Sequence, residues 1–304
     1  MNNILQLFPP KMQLSIKQEI ERYPNQLEEI RLRVNQPVEL NFFHTYIMLY
    51  DTLFTREDAL FFIRQLSEHS LYRLETELQA GFITTKGGHR VGFAGETMMM
   101  NASNVKIKEL TFFNIRLARA IKDIAAPFVR HLLNQHTTMH TLIFGAPQTG
   151  KTTFLRDIAR QLSTNYRKKV GIIDERSEIA ASIQGRPQLD VGIRTDVMDA
   201  CPKQIGMMMM IRSMSPQVLI VDEIGSKEDV AAILEAMHAG VTIVCTIHCN
   251  DFMELKEKKY IRSLIEEKMF KRYVYLQRTE DASFQVHILN EDGHTLYRQM
   301  VVQI

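Results

Sequence analysis

A glycine-rich octet constrains the fold of this chain more than any other feature. It reads Gly-Ala-Pro-Gln-Thr-Gly-Lys-Thr at residues 145–152 and follows the apolar run 141–144, so a buried strand is expected to end where a helix begins. Glycines let backbone N–H groups turn towards a phosphate without a Cβ in the way, and the start of a helix adds partial positive charge. In such a loop the lysine, Lys151, pairs with the phosphates and the hydroxyl of Thr152 ligates Mg²⁺. The octet therefore predicts a site for a nucleoside triphosphate and Mg²⁺.

The residues predicted to surround the phosphates form one continuous stretch. They are Gly145, Ala146, Pro147, Gln148, Thr149, Gly150, Lys151, Thr152 and Thr153. An isolated Gly-Lys-Thr would be weak evidence, because so short a string recurs by chance. Here the apolar strand before it and the helical pattern after it are also readable, and this context makes the motif specific.

Composition and charge limit the classes of protein to which this chain can belong. Its 304 residues are enough for two domains, and 14 Gly and 9 Pro indicate no long linker. A formal net charge of +2 argues against a protein that binds nucleic acid or membranes through bulk charge. No segment approaches the roughly 18 apolar residues of a membrane-spanning helix, and the first residues lack the features of a signal peptide. Three cysteines fit a reducing compartment, so we expect a cytoplasmic protein that reaches a membrane only through partners.

Apolar segments alternate with amphipathic segments from about residue 120 onwards. Strands are predicted at 141–144, 170–174, 217–222 and 241–247. Helices are predicted at 151–163, 203–214 and 227–239, and the run Met207–Met210 is interpreted as a buried helix face. This alternation predicts an α/β domain at 120–304 with a mostly parallel sheet that is covered on both faces. Short strands at 273–277, 284–289 and 295–302 predict a β extension at its end.

Residues 1–119 have a different pattern and are predicted to form a smaller α+β domain. Helical spacing occurs at 14–21 and 56–69, and strands are predicted at 27–34, 38–42 and 112–117. A Gly87-Gly88 turn between 81–85 and 90–95 predicts a hairpin. This part has no catalytic signature of its own, and a hinge between the two domains is predicted near residues 119–125.

Two acids, Asp222 and Glu223, follow the apolar run 218–221. Ligands of parallel sheets lie at the carboxyl ends of the strands, which is where this pair falls. In phosphate-loop enzymes the first such acid holds Mg²⁺ and the second polarises the attacking water. An ordinary strand with solvated end residues would look the same, but the preceding phosphate loop favours the functional interpretation. Paired acids also favour hydrolysis over phosphoryl transfer to another substrate.

Two further strand ends carry candidate residues. The box Asp-Glu-Arg-Ser-Glu at 174–178 is either a salt-bridged surface turn or a group that brings Glu175 or Glu178 near the γ-phosphate, where it would support Glu223. His248 follows the last predicted core strand. A lone histidine is usually structural, but its place beside the other strand ends predicts that it senses the γ-phosphate.

These motifs, taken together, resemble a known family. The phosphate loop, the acidic box, Val-Asp-Glu-Ile-Gly at 221–225 and Thr-Ile-His-Cys-Asn at 246–250 resemble the secretion-superfamily ATPases of type II, type IV and pilus machines, which are RecA-like P-loop enzymes. Four further strings are similar to the stage III sporulation AA family of endospore-forming bacteria, namely 86–92, 191–197, 201–203 and 211–216. The chain departs from many secretion ATPases at Asp222, where they have glycine, and at 225–226, where Arg-Asp is expected.

The resemblance implies properties that the residues alone do not establish. It implies ATP as the nucleotide, a ring-shaped homo-hexamer with nucleotide between subunits, and hydrolysis that drives a membrane-spanning apparatus. In the sporulation branch, it implies a channel between mother cell and forespore whose membrane-embedded components are encoded alongside this chain. The protein would then act in the cytoplasm of the mother cell, at the periphery of that complex.

A hexamer needs arginines that reach across its interfaces. The candidates in this sequence are Arg90, Arg116, Arg194 and Arg212, of which Arg90 and Arg194 are predicted to be catalytic. Such an arginine contributes about 10³–10⁵ in rate. The alternative for each is an ordinary surface ion pair.

Two other functions remain open at this stage. One is a P-loop ATPase stimulated by nucleic acid, in which Arg31 and Arg33 would contact phosphates. Their alternation with apolar residues suits a strand with one solvent-exposed face, so we do not expect nucleic acid as a partner. The other is a nucleotide-gated scaffold with little turnover.

Overall fold

The structure is a computed structural model, and it describes residues 2–43, 45–67, 81–101, 104–118, 121–279 and 283–301. The chain divides into two compact units, Met1–Arg119 and Ala120–Ile304. Each unit has a main β-sheet and hydrophobic clusters of its own. In the ranges described, no helix combines the length and the apolar character needed to pass through a membrane.

The N-terminal unit is an antiparallel sheet packed against helices. The helices are α1 (Asn2–Leu5), α2 (Pro10–Arg22) and α3 (Arg56–Leu66). The strands are β1 (Leu27–Arg33), β2 (Gln36–Phe42), β3 (Tyr46–Phe54), β4 (Phe82–Thr85), β5 (His89–Asn101) and β6 (Asn104–Arg116), in the sheet order β3-β2-β1-β6-β5-β4. Ile16 of α2 and Phe62 of α3 are fully buried in one cluster with Ile30 and Phe113 of the sheet. This cluster forms the core of the unit.

Most of the elements predicted for this unit are present. Gly87 and Gly88 both adopt a positive φ in the turn between β4 and β5, as the hairpin prediction requires. Strand β3 is not predicted from the sequence, because it is an edge strand whose burial does not alternate regularly. The helix predicted to run to residue 69 ends at Leu66, and residues 68–69 lie outside the described residues.

The C-terminal unit contains the phosphate loop. Its helices are α4 (Ala126–Val129), α5 (Lys151–Thr164), α6 (Lys203–Met214), α7 (Lys227–His238), α8 (Phe252–Glu257) and α9 (Arg262–Glu266), with a 3₁₀ turn at Arg130–Leu132. A two-stranded ribbon is formed by β7 (Leu133–Asn134) and β8 (Thr137–Thr138). The main sheet has the strands β9 (Thr141–Gly145), β10 (Val170–Asp174), β11 (Thr195–Asp199), β12 (Val218–Val221), β13 (Thr242–His248), β14 (Arg272–Arg278), β15 (Phe284–Leu289) and β16 (Thr295–Val301).

The main sheet confirms the predicted parallel architecture. Its order is β11-β10-β12-β13-β9-β14-β15-β16, parallel from β11 to β14 and antiparallel for the last two strands. Every residue of β9, β10 and β12 is buried. Side chains of β9 alternate between two clusters, with Leu142 and Phe144 in one and Ile143 in the other. A parallel sheet covered on both faces requires such continuous apolar strands.

Three details differ from the sequence-based expectations. Strand β11 is not predicted, because this edge strand contains Asp196 and Asp199 and has no buried run. The predicted β extension is a continuation of the main sheet, since β14 pairs directly with β9; residue 302 lies outside the described residues. The Met207–Met210 run is only partly a buried face: Met207 and Met210 pack in a core cluster, but 52% of Met209 is exposed, because only one face of α6 packs against that cluster.

The segment that leads into this unit is fixed to α5. The buried carboxylate of Asp157 accepts the backbone N–H of Asp123 at 3.2 Å and of Ala125 at 2.8 Å. Arg160 binds Asp157 at 2.7 Å and Asp123 at 2.6 Å. These contacts argue against a hinge within residues 123–125. Of the remaining positions in the predicted hinge, residues 119–120 lie outside the described residues.

Asp157→Ala should destabilise the C-terminal unit by about 3 kcal/mol, because it leaves Arg160 and two backbone donors without their buried partner. The measurement is urea unfolding of the full chain. Asp190→Ala is the control, since Asp190 pairs with Lys122 at the surface, and its loss should cost less than about 1 kcal/mol. Equal losses for the two variants would contradict the anchoring role of Asp157.

Candidate active site

The phosphate loop connects β9 to α5 in a conformation that its glycines permit. Gly150, just before the helix, has a φ of 82°, and Gln148 has a φ of 62°. A Cβ added to Gly145 would lie 2.4 Å from the carbonyl oxygen of Leu276, so no other residue fits there without a shift of the backbone. The hydroxyl of Thr149 donates to the carbonyl of Ala146 at 2.8 Å and closes the loop. The structure thus forms the strand–loop–helix unit that the octet predicts.

Lys151 lies inside this loop and is 6% exposed. Its Nζ donates to the carbonyl oxygens of Gly145 at 2.8 Å and Ala146 at 2.7 Å. Burial lowers the pKa of Lys151 to about 8, against the opposite influence of the Asp222 and Glu223 carboxylates. A phosphate anion in the loop would favour the charged ammonium.

Asp222 and Thr152, the two predicted Mg²⁺ ligands, are in direct contact. The Thr152 hydroxyl donates to Oδ2 of Asp222 at 3.0 Å, although the residues are 70 positions apart. Burial raises the pKa of Asp222; hydrogen bonds from Thr246 and Thr152 lower it, and the charges of Glu178 and Glu223 raise it. A hydroxyl and a carboxylate at a phosphate loop are the hard oxygen donors that Mg²⁺ prefers, so this pair fits the ion.

Thr246 is a site residue that the sequence analysis does not identify. Its buried hydroxyl accepts the backbone N–H of Glu223 at 2.8 Å and donates its own proton to Oδ1 of Asp222. The hydroxyl therefore holds both acids of the pair at once. The available signal is its spacing: Thr246 stands two residues before His248 on β13, so both side chains lie on the same face of the sheet.

Glu223 contacts both His248 and Arg176. Glu223 has a φ of 45°, a left-handed conformation that costs a non-glycine residue about 1–3 kcal/mol. One carboxylate oxygen lies 3.3 Å from Nε2 of His248, and the other lies 3.3 Å from Nη1 of Arg176. Arg176 belongs to the acidic box but is not a predicted site residue, because only the tertiary fold places it beside Glu223.

Asp174, the first acid of the box, has a structural role. Its buried carboxylate accepts the backbone N–H groups of Glu178 at 2.8 Å, Ile179 at 3.1 Å and Ala180 at 2.8 Å. Burial raises its pKa, although these three hydrogen bonds lower it. Asp174 thereby fixes the turn that carries the rest of the box.

The two glutamates of the box point to different partners. Glu175 forms an ion pair of 2.5 Å with Lys203, a residue of low exposure at the start of α6. The charge of Glu178 contributes to the raised pKa of Asp222. The buried guanidinium of Arg156 donates to the carbonyl oxygens of Glu178, at 2.8 Å, and Ile179, and joins the turn to α5.

The predicted interface arginines belong to both units, and each is described within its own unit. Arg194 precedes β11, so it lies at the amino ends of the strands, where its guanidinium donates to the carbonyl of Arg167. Arg212 is exposed in the last turn of α6. In the N-terminal unit, Arg90 lies 3.8 Å above the ring of Phe82 and Arg116 is 3.9 Å from Glu29. The C-terminal unit therefore does not bring Arg194 or Arg212 to its own phosphate loop.

Comparisons with known proteins identify the family and the fold of this chain. Residues 1–296 match the protein family described as sporulation stage III, protein AA. Stage III sporulation protein AA of Bacillus subtilis (strain 168) is 44% identical over 302 residues, which cover 98% of each chain. Among solved structures, the Legionella pneumophila ATPase DotB has a TM-score of 0.61 at 15% identity, covering 94% of this chain and 82% of that one. The pilus retraction motor PilT with bound ADP has a TM-score of 0.62 at 15% identity, covering 91% and 82%. These two likenesses show a shared RecA-like secretion-ATPase fold.

The lowered pKa of Lys151 predicts a pH dependence of nucleotide binding. Phosphates stabilise the ammonium, so its pKa is higher in the complex than the value of about 8 in the free protein. Below that pH, Lys151 is protonated in both the free protein and the complex, so the affinity for nucleotide is constant. Above it, binding takes up a proton, and the affinity falls by up to about tenfold per pH unit. The measurement is calorimetric titration with ADP in EDTA between about pH 7 and 9.5. Lys151→Met should bind more weakly with no such slope, and a slope that survives this substitution would assign the proton to another group.

Proposed function

This chain belongs to the sporulation stage III, protein AA family, and from that premise we propose that it is the ATP-hydrolysing motor of a secretion-like channel apparatus between mother cell and forespore. It works as a homo-hexamer in the cytoplasm of the mother cell, docked on membrane-embedded proteins encoded alongside it. One observation carries the proposal: Lys151, the Thr152–Asp222 pair and the Glu223–His248 pair meet at the carboxyl edge of one parallel sheet.

The residues of the site divide the work of hydrolysis among them. Lys151 neutralises the triphosphate, and Thr152 and Asp222 hold Mg²⁺, which supplies further positive charge to the phosphates. Glu223 orients and deprotonates the attacking water, and its carboxylate, 38% exposed at the edge of the site, is accessible to that water. Glu175 or Glu178 supports it from the neighbouring strand end. His248 contacts Glu223 and reports whether the γ-phosphate is present.

Motor and ring are proposed by analogy with the fold neighbours. DotB is described as an ATPase and PilT as a pilus retraction motor, and both share the fold of this chain. In a ring, Arg90 and Arg194 are the proposed arginines for the neighbouring nucleotide. Arg194 would have to leave its contact with the carbonyl of Arg167 to do so.

Stimulation by nucleic acid is the weaker alternative. Arg31 and Arg33, the residues that would contact phosphates, already pair with Glu29 at 3.0 Å and with Glu39 at 2.5 Å. Their charge is therefore largely neutralised. Single-stranded nucleic acid should leave the ATPase rate unchanged at low salt, and salt-sensitive stimulation would favour this alternative instead.

Glu223→Gln tests the motor directly. Loss of the base should lower the rate of ATP hydrolysis by about 10²–10⁴, while ATP binding is not weakened, and spore formation should stop. The measurements are phosphate release, nucleotide titration and sporulation of cells that carry the variant. Glu266→Gln, a surface change in an ion pair with Arg262, is the matched control and should change none of the three. If cells that carry Glu223→Gln still form spores, the protein is a nucleotide-gated scaffold and not a motor.

Thr246→Val removes the hydroxyl that holds both acids and keeps the shape of the side chain. The rate of hydrolysis should fall by roughly 10–100-fold, the range for outer partners of a metal ligand, and the Mg²⁺ concentration needed for half-maximal rate should rise. Thr246→Ser keeps the hydroxyl and should keep both values near those of the unchanged protein. If valine and serine behave alike, the hydroxyl has no positioning role.

A further inference from the structure

Arg176 extends into the edge of the sheet that carries the phosphate loop. It stands two residues after the end of β10, and its Nη1 lies 3.3 Å from Oε2 of Glu223. The other oxygen of Glu223 contacts Nε2 of His248 at the same distance. A guanidinium, an imidazole and the proposed base therefore meet beside Asp222, which directly precedes Glu223.

The backbone that carries Arg176 is fixed on both sides. Asp174 accepts three backbone N–H groups of residues 178–180. Ser177, with a φ of 52°, donates its hydroxyl to Asp199 at 2.7 Å. The turn is thus held by buried and half-buried carboxylates, and this fixes the point from which the arginine side chain extends.

The ion pair between Arg176 and Glu223 is weak. Arg176 is 66% exposed and Glu223 is 38% exposed, and an exposed ion pair contributes about 0–1 kcal/mol. A phosphate offers a guanidinium two hydrogen bonds at once and more negative charge than one carboxylate. Exchange of the Glu223 carboxylate for a phosphate therefore gives up only this weak ion pair.

We propose that Arg176 is a γ-phosphate-binding arginine supplied by the same chain, which leaves Glu223 when ATP binds and returns to it in the ADP state. The proposal rests on the proposed ATPase function and adds a residue to it. The exchange has a direct consequence for Glu223, because the departing guanidinium releases Oε2 to accept a hydrogen bond from the attacking water. With ADP bound, the same oxygen is occupied and the base is held by Arg176 and His248.

The experiment compares the binding of ADP and of a β,γ-imido analogue of ATP, each with Mg²⁺, by calorimetric titration of the full chain. Arg176→Ala should weaken the analogue about tenfold, as expected for one charge-assisted hydrogen bond, and leave ADP within about twofold. Arg176→Lys should bind the analogue with an affinity between those of the unsubstituted chain and Arg176→Ala. The control is Arg262→Ala, since Arg262 is also an exposed arginine paired with a glutamate and should change neither affinity.

A double-substitution cycle adds a readout that a purely structural role would not produce. Glu223→Gln removes the competing carboxylate, so it should raise the affinity for the analogue, and this gain should be smaller when residue 176 is alanine. Equal losses for ADP and the analogue in Arg176→Ala, or no loss for either, would overturn the inference while leaving the ATPase proposal in place. If the unsubstituted chain binds neither nucleotide, both proposals fail.

Discussion

The hydrogen bond from Thr152 to Asp222 joins two motifs that lie 70 residues apart in the chain. It exists because β13 lies between β9 and β12 in a parallel sheet, so that their carboxyl ends share one edge. Thr246 on that middle strand completes the link, since its hydroxyl binds Asp222 and the backbone of Glu223. A change of strand order or direction would separate these groups. The buried apolar strands therefore determine the geometry of a site that is itself polar.

The carboxylates around this edge fall into two physical classes. Asp157 and Asp174 are buried and accept several backbone N–H groups, so they hold the chain path on either side of α5. Glu223 is partly exposed and contacts side chains that are themselves exposed by 42% and 66%, which lets it change partners. Removal of a buried, saturated carboxylate mainly lowers stability, whereas removal of an exposed one mainly affects chemistry. This difference separates scaffold residues from proposed reacting residues within one acidic cluster.

The sequence predicts the parts of this structure that depend on local pattern. Continuous apolar runs identify β9, β10 and β12, because strands buried on both faces need apolar residues at every position. The glycine spacing identifies the phosphate loop, because the left-handed conformation at residue 150 favours glycine. Strand β11 has no apolar run, so the sequence of this polar edge strand resembles that of a loop. The ion pair of Glu175 depends on Lys203, and the contact of Arg176 depends on Glu223 at the end of β12. Both partners come later in the chain. No local window contains both partners of these contacts.

Helix α5 connects the chemistry of the site to the start of its unit. Its first turn carries Lys151 and Thr152, and Asp157 and Arg160 on the same helix hold the backbone at 123–125. Arg156, between them, donates to the turn that carries Glu178. A displacement of α5 at the phosphate loop must therefore move both the acidic box and the segment at 123–125, or break the hydrogen bonds to them. Each broken hydrogen bond costs about 1–3 kcal/mol. In the proposed motor, α5 would therefore couple the phosphate loop to the segment that leads into this unit.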